Sequence, residues 1–146
     1  MPNQAPNGNY PKLGVEGSGG DPDLEYEMKG QSFQKRCRYA CHGLASAFRH
    51  EASFRAEVIL GVAALLFTLW LRPSWLWAAL VAIMVAAVLA AELFNTALEH
   101  LLDGLHPDEA EFARVAKDCA AAAVMIFSLA SLAVFLMMVC DVLGNR

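Results

Sequence analysis

Two long stretches of the sequence contain no charged residue. Residues 73–91 read PSWLWAALVAIMVAAVLAA and residues 119–140 read CAAAAVMIFSLASLAVFLMMVC. Each is close to the roughly 20 residues with which an α-helix crosses the hydrocarbon core of a bilayer. Because 57% of the 146 residues are hydrophobic, the chain holds more apolar material than a water-soluble core of this size needs. We therefore predict an all-α integral membrane protein.

Paired cysteine motifs are lacking as well, and basic residues are few. The four cysteines show none of the paired spacings that mark disulfide frameworks or zinc sites. The net charge of −4 argues against a nucleic-acid partner. We expect no secretory signal peptide, because the first apolar run begins far from the polar N-terminus.

The chain is expected to consist of a polar head followed by a membrane domain. Residues 1–31 are rich in Gly, Pro, Asn and acidic residues, a composition typical of disorder. Residues 32–50 place apolar side chains at helical spacing among Lys and Arg, which predicts an amphipathic helix on the membrane surface. Three transmembrane helices are predicted at about 52–72, 74–103 and 110–141.

The distribution of Lys and Arg predicts the orientation of these spans. The segment before and at the start of the first span carries the basic residues Lys35, Arg36, Arg38, Arg49 and Arg55. The turn after the first span has only Arg72, whereas the second connection is followed by Arg114 and Lys117. The positive-inside rule then places the N-terminus and the second connection in the cytoplasm.

A polar stripe follows the first charge-free run, in AELFNTALEHLLD at residues 91–103. At about 100° per residue, Glu92, Asn95, Glu99 and Asp103 fall within an arc of about 80° on an otherwise apolar helix. Stacked carboxylates repel each other unless a cation lies between them. Mg²⁺ is commonly held by one or two carboxylates together with substrate phosphates. The stripe alone is equally compatible with a packed surface or a solvated exit from the bilayer.

Further polar residues are expected at the same cytoplasmic surface. Glu51, in FRHEASFRAE, lies where the surface helix meets the first span, and a plain helix-terminal charge is the alternative reading of it. Lys117 and Asp118, in ARVAKDCAAAAV, lie at the mouth of the third span. Lysine beside a carboxylate cluster is used for phosphate recognition, although Lys117 could instead be a snorkelling residue without chemistry.

Taken in order, FRHEASFRAE, ELFNTALEHLLD and AKDCAAAAV resemble the prokaryotic diacylglycerol kinase family, which includes the undecaprenol kinases. The resemblance covers residues 33–140. It implies a multi-pass lipid kinase of the bacterial inner membrane, assembled as a homotrimer with cytoplasmic active sites between subunits. Such enzymes transfer the γ-phosphoryl group of Mg·ATP to a lipid hydroxyl without a P-loop, and G-x-x-x-x-G-K-[ST] is indeed absent here.

The resemblance also implies roles for individual residues. Glu92 is expected to be the general base at the lipid hydroxyl, and Glu51 and Glu99 are expected to hold the Mg²⁺ on ATP. The residues expected to line the nucleotide site are Tyr39, Asn95, Lys117 and Asp118. Arg55 and Asp103, together with Glu92, are expected to contact the lipid substrate.

Diacylglycerol is the expected lipid, with undecaprenol as the alternative. Where diacylglycerol kinases of this family read NSAIE and AKDMGSAAV, this chain reads NTALE and AKDCAAAAV, variations that lean partly toward the undecaprenol kinases. Ser32 also stands where some members carry an arginine that assists the nucleotide. A small membrane transporter or a membrane scaffold is the alternative of another class.

Overall fold

The computed structural model describes residues 32–105 and 110–144, all of whose regular structure is helical. The helices are α1 (Phe33–His50), α2 (Ala52–Leu71), α3 (Trp75–Leu105) and α4 (Glu111–Gly144). The predicted disordered head, residues 1–31, lies outside the described residues. By its internal contacts the chain divides into two units within α1, between Arg38 and Tyr39. Of the first unit the structure describes residues 32–38, which comprise Ser32 and the first turns of α1.

Helices α2, α3 and α4 are each long and apolar enough to cross a membrane, which confirms the prediction of three membrane-length helices. At 1.5 Å per residue, the 20 residues of α2 span about 30 Å, the thickness of the hydrocarbon core. The 31 residues of α3 and the 34 of α4 span about 46 and 51 Å. These two helices therefore extend well beyond the hydrocarbon core.

The connection from α2 to α3 is a tight turn. Arg72 ends α2 in the left-handed conformation, with φ 54° and ψ 55°, and its backbone N–H donates to the carbonyl oxygen of Thr68. Pro73 follows, and proline commonly stands just after a helix end because it cannot continue the helical hydrogen bonding. The turn places α3 antiparallel to α2.

Helix α3 packs against both α2 and α4. At the end near the tight turn, Leu71, Val81 and Met138 form a buried apolar cluster. The indole Nε1 of Trp77 donates to Asp141 Oδ2 at 3.0 Å and ties the start of α3 to the end of α4. The opposite end of α3 and the start of α4 carry the polar residues of interest.

Helix α1 is mostly exposed, and Ala47 is its buried residue. Large apolar side chains, including Phe33 and Phe48, are exposed along it. A helix that lies on a membrane presents such side chains to the lipid. Its amphipathic placement on the membrane surface stays a prediction.

Candidate active site

Glu92 is buried near the middle of α3, directly after the charge-free run. Only 5% of its surface is exposed. A carboxylate removed from water in this way loses its hydration, so such groups persist mainly where partners, metal ions or function offset the cost. Glu92 is therefore the strongest candidate for chemistry in the described part of the chain.

The polar stripe predicted on α3 contains a side-chain hydrogen bond between two of its members. Asn95 Nδ2 donates to Glu99 Oε1 at 3.0 Å, as expected for residues four apart on one helix face. Asn95 is 9% exposed, and its Oδ1 is buried with no hydrogen-bond partner among the described atoms. An unsatisfied buried acceptor requires an explanation, and a bound cation or donor would supply one.

Three other carboxylates lie near Glu92, one of them on the same helix. The charges of Glu51, Glu57 and Glu99 all lie within electrostatic range of Glu92. Mutual repulsion makes such a cluster unfavourable unless protons or cations offset it. The structure thus brings Glu51, Glu92 and Glu99, all singled out in the sequence, into one region.

Glu57 was missed by the sequence reasoning. It lies on α2, and Ser128 of α4 is a polar neighbour of its carboxylate. Its Oε2 is buried without a partner among the described atoms. The sequence did contain a sign that Glu57 belongs to the site, because it is a second acidic residue six positions after Glu51, at the edge of an apolar run.

His100 is the second residue that the sequence reasoning missed. Its Nε2 lies 3.1 Å from Glu51 Oε1, although the two residues are 49 positions apart in the chain. His100 directly follows Glu99 on α3. The contact connects the junction of α1 and α2 to the polar end of α3.

Lys117 and Asp118 both lie at the start of α4 and both have partners. Lys117 forms an ion pair with Asp103 of α3. The pair links a residue predicted to bind the nucleotide to one predicted to contact the lipid. Asp118 accepts from Arg114 at 3.1 Å, and Arg114 also pairs with Glu111 at 2.7 Å. To bind a phosphate, Lys117 must therefore exchange or share its carboxylate partner.

Arg55 and Tyr39 complete the predicted residues. Arg55 Nη1 donates to the backbone oxygens of Phe48 and Arg49, at 3.4 and 3.1 Å. A cation in this position satisfies carbonyl groups left open at the end of a helix, here α1. Tyr39 is exposed on α1.

The donor chemistry of the cluster suits Mg²⁺, which prefers oxygen ligands. Among residues 32–105 and 110–144, no group of three or more His, Cys, Asp and Glu is placed to hold a metal ion. A magnesium ion that arrives on ATP needs only one or two protein carboxylates, because phosphates and waters fill the remaining positions. Glu51 and Glu99, with the unpartnered Oδ1 of Asn95 nearby, fit that smaller requirement.

The sequence profile of one family, described as prokaryotic diacylglycerol kinase, matches residues 38–139. That range is more than half of the chain and contains the whole carboxylate cluster. The chain belongs to the prokaryotic diacylglycerol kinase family. It is therefore a membrane-embedded lipid kinase of that family, and the resemblance seen in the sequence is confirmed.

Individual relatives agree with this membership. A diacylglycerol kinase of Synechocystis is 36% identical over 98 residues, which cover 66% of this chain and 56% of that protein. The diacylglycerol kinase of Haemophilus influenzae is 34% identical over 89 residues, covering 61% of this chain and 75% of the relative. An undecaprenol kinase of Bacillus subtilis is 28% identical over 99 residues, covering 68% and 80%.

Proposed function

We propose that this lipid kinase transfers the γ-phosphoryl group of Mg·ATP to the hydroxyl of diacylglycerol and produces phosphatidic acid. The observation that carries the proposal is the buried Glu92, with three further carboxylates in electrostatic range. The choice of diacylglycerol is supported by relatives of that name at 36% and 34% identity, against 28% for the undecaprenol kinase.

Glu92 acts in this proposal as the general base. Its carboxylate accepts the proton of the lipid hydroxyl while the hydroxyl oxygen attacks the γ-phosphorus. The bond from the γ-phosphorus to the bridging oxygen breaks, and ADP leaves. The position of Glu92, at the end of the charge-free run, suits a hydroxyl at the depth of the lipid headgroups. The acyl chains then never leave the bilayer.

The remaining polar residues bind and orient the nucleotide. Glu51 and Glu99 hold the metal on the phosphates, and the bound Mg²⁺ supplies neutralisation of phosphate charge. Asn95 keeps Glu99 in place through their hydrogen bond. Lys117 moves from Asp103 to the phosphates, and Asp118 and Tyr39 line the nucleotide site.

The proposal also covers the path of the lipid, the orientation in the membrane and the assembly of subunits. Arg55 and Asp103 lie beside the path of the lipid, and the enzyme is oriented in the bacterial inner membrane with this end in the cytoplasm. We further propose a homotrimer with active sites between subunits. The apolar side chains exposed along all three spans, among them Ile59, Ile83 and Leu129, are available to lipid and to neighbouring subunits.

A phosphorylation assay in detergent micelles tests the proposal. The purified protein is supplied with γ-labelled Mg·ATP and, in parallel, with diacylglycerol, undecaprenol and a simple long-chain alcohol. We expect labelled phosphatidic acid as the dominant product. Preferential labelling of undecaprenol would transfer the assignment to the alternative lipid, and labelling of none would contradict a kinase of lipid alcohols.

A further inference from the structure

Glu51 lies at the junction of α1 and α2. Hydrogen bonds fix its backbone there, whereas its side chain does not cap α2. Its backbone is extended, with φ −102° and ψ 118°, between the end of α1 and the start of α2. Its N–H donates to Ala47 O at 2.8 Å, and its carbonyl oxygen accepts from Arg55 N at 3.3 Å. The Glu51 carboxylate makes no capping hydrogen bond to α2, so it is available to a partner elsewhere.

That partner is His100 of α3. The Nε2–Oε1 distance of 3.1 Å is a hydrogen-bonding distance. The imidazole side chain is 70% exposed and the Glu51 side chain 28% exposed, so the contact lies at the protein surface. The contact uses Oε1, and a carboxylate has a second oxygen with which to bind a cation.

Packing alone does not hold Glu51 in this place. A crevice of about 500 Å³ separates α1 from α3 beneath the contact. Small side chains on both helices, including Ala40, Gly43, Ala47 and Ala97, leave it open. Glu51 and His100 both line this crevice, and their hydrogen bond joins its two sides. Among the described residues, this hydrogen bond links the Glu51 carboxylate to the polar end of α3.

We propose that His100 is a positioning residue of the kinase, a role that rests on the proposed function. Its Nε2–H group holds the Glu51 carboxylate beside Glu99, so that both carboxylates meet the metal on ATP. A preformed pair of ligands loses less conformational freedom when the nucleotide binds. His100 touches neither the lipid hydroxyl nor the γ-phosphorus, so it affects the affinity for Mg·ATP and leaves the phosphoryl transfer step unchanged.

Kinetics of two His100 variants test this role. At one fixed pH for all variants, His100→Ala should raise the KM for Mg·ATP about three- to tenfold, with kcat within about twofold of wild type. His100→Gln places an amide donor near the position of Nε2 and should restore most of the affinity. Leu101→Ala, an exposed change on the same helix, should have no effect.

Binding of Mn²⁺, followed by electron paramagnetic resonance with a non-hydrolysable ATP analogue, gives a readout independent of turnover. His100→Ala should weaken this binding by a similar factor. If Mn²⁺ binding and KM are unchanged in the alanine variant, or if glutamine and alanine behave alike, the positioning role is wrong. Should His100→Ala fail to fold, His100→Leu replaces it with the same expected effects.

The two proposals fail separately. If wild-type protein phosphorylates no lipid while His100→Ala still weakens Mn²⁺–nucleotide binding, the proposed lipid reaction is wrong and the positioning role stands. If wild-type protein makes phosphatidic acid and the His100 variants match it in KM and in Mn²⁺ binding, only the positioning role is overturned.

Discussion

Burial distinguishes the acidic side chains along α3. Glu92 is buried, Glu99 is partly buried and Asp103 is exposed. Under the proposed function, a buried carboxylate suits proton transfer from a lipid hydroxyl, because it is held away from bulk water. A partly exposed one can reach a hydrated metal that arrives on ATP. The gradient therefore supports different roles for chemically similar residues.

Glu99→Gln tests the metal role. Glutamine keeps an acceptor for Asn95 Nδ2 but removes the charge that binds Mg²⁺. We expect the Mg²⁺ concentration for half-maximal activity to rise about tenfold or more, since one of two carboxylate ligands is lost. Titration of activity against Mg²⁺ at fixed ATP measures it. An unchanged requirement would remove Glu99 from the metal site.

Residue spacing along one helix was enough to place Asn95 and Glu99 together, because a helical period relates positions four apart wherever the helix lies. The contact of His100 with Glu51 was not predictable in this way. It joins residues 49 positions apart and depends on how α1 approaches α3. Glu57 was missed for a related reason, since its neighbours Glu92 and Ser128 come from two other helices.

At the scale of the helices, close approach of α2 to α3 depends on one glycine. A Cβ atom added at Gly61 would lie 2.7 Å from Val85 Cγ1, far inside normal contact. Small residues at such crossings allow membrane helices to pack closely. Because Glu57 lies one turn from Gly61, this crossing also fixes the distance from Glu57 to α3.

Gly61→Ala tests the crossing. The overlap with Val85 should cost about 1–3 kcal/mol, more than the gain of about 1 kcal/mol in helix propensity, so the variant should be less stable. Adding Val85→Ala should recover much of that loss. Unfolding in mixed micelles with rising SDS measures it, with Gly104→Ala as a control, since nothing lies within 4 Å of a Cβ there. Equal stabilities of Gly61→Ala and wild type would contradict the close crossing.

The hydrogen bond between Trp77 and Asp141 provides a second test of helix packing. Trp77→Phe removes the donor while keeping an aromatic ring against α4, and should destabilise the protein by about 1 kcal/mol. The same unfolding measurement applies. Trp75→Phe is the matched control, because Trp75 is exposed on the same helix. A loss no larger in Trp77→Phe than in Trp75→Phe would show that the bond contributes nothing to stability.

For the whole molecule, the orientation in the membrane decides whether the carboxylate cluster can reach ATP. The spans predicted at about 52–72 and 74–103 lie close to the helices Ala52–Leu71 and Trp75–Leu105. The length and apolarity of the spans are local properties, so sequence was sufficient for them. Orientation depends on the bilayer, and the proposed assembly depends on contacts between chains, neither of which one chain contains.

Cysteine labelling in intact cells tests the orientation. The native cysteines are first removed, and Ser74→Cys is introduced in the turn between α2 and α3. The outer membrane is permeabilised so that a membrane-impermeant maleimide reaches the periplasmic side of the inner membrane. Ser74→Cys should react with this reagent. A variant that retains only Cys41, which is exposed on α1, should react only after lysis. The opposite pattern would place the acidic cluster away from cytoplasmic ATP.

The central claim is that the buried carboxylate of Glu92 accepts the proton of the lipid hydroxyl, and turnover of Glu92→Gln tests it most directly. General-base catalysis contributes about 10²–10⁴-fold, so kcat should fall at least by that factor while the KM for ATP stays close to wild type. Glu111→Gln, the same chemical change at an exposed site at the start of α4, should keep near-normal turnover. Near-normal turnover in Glu92→Gln itself would contradict the claim.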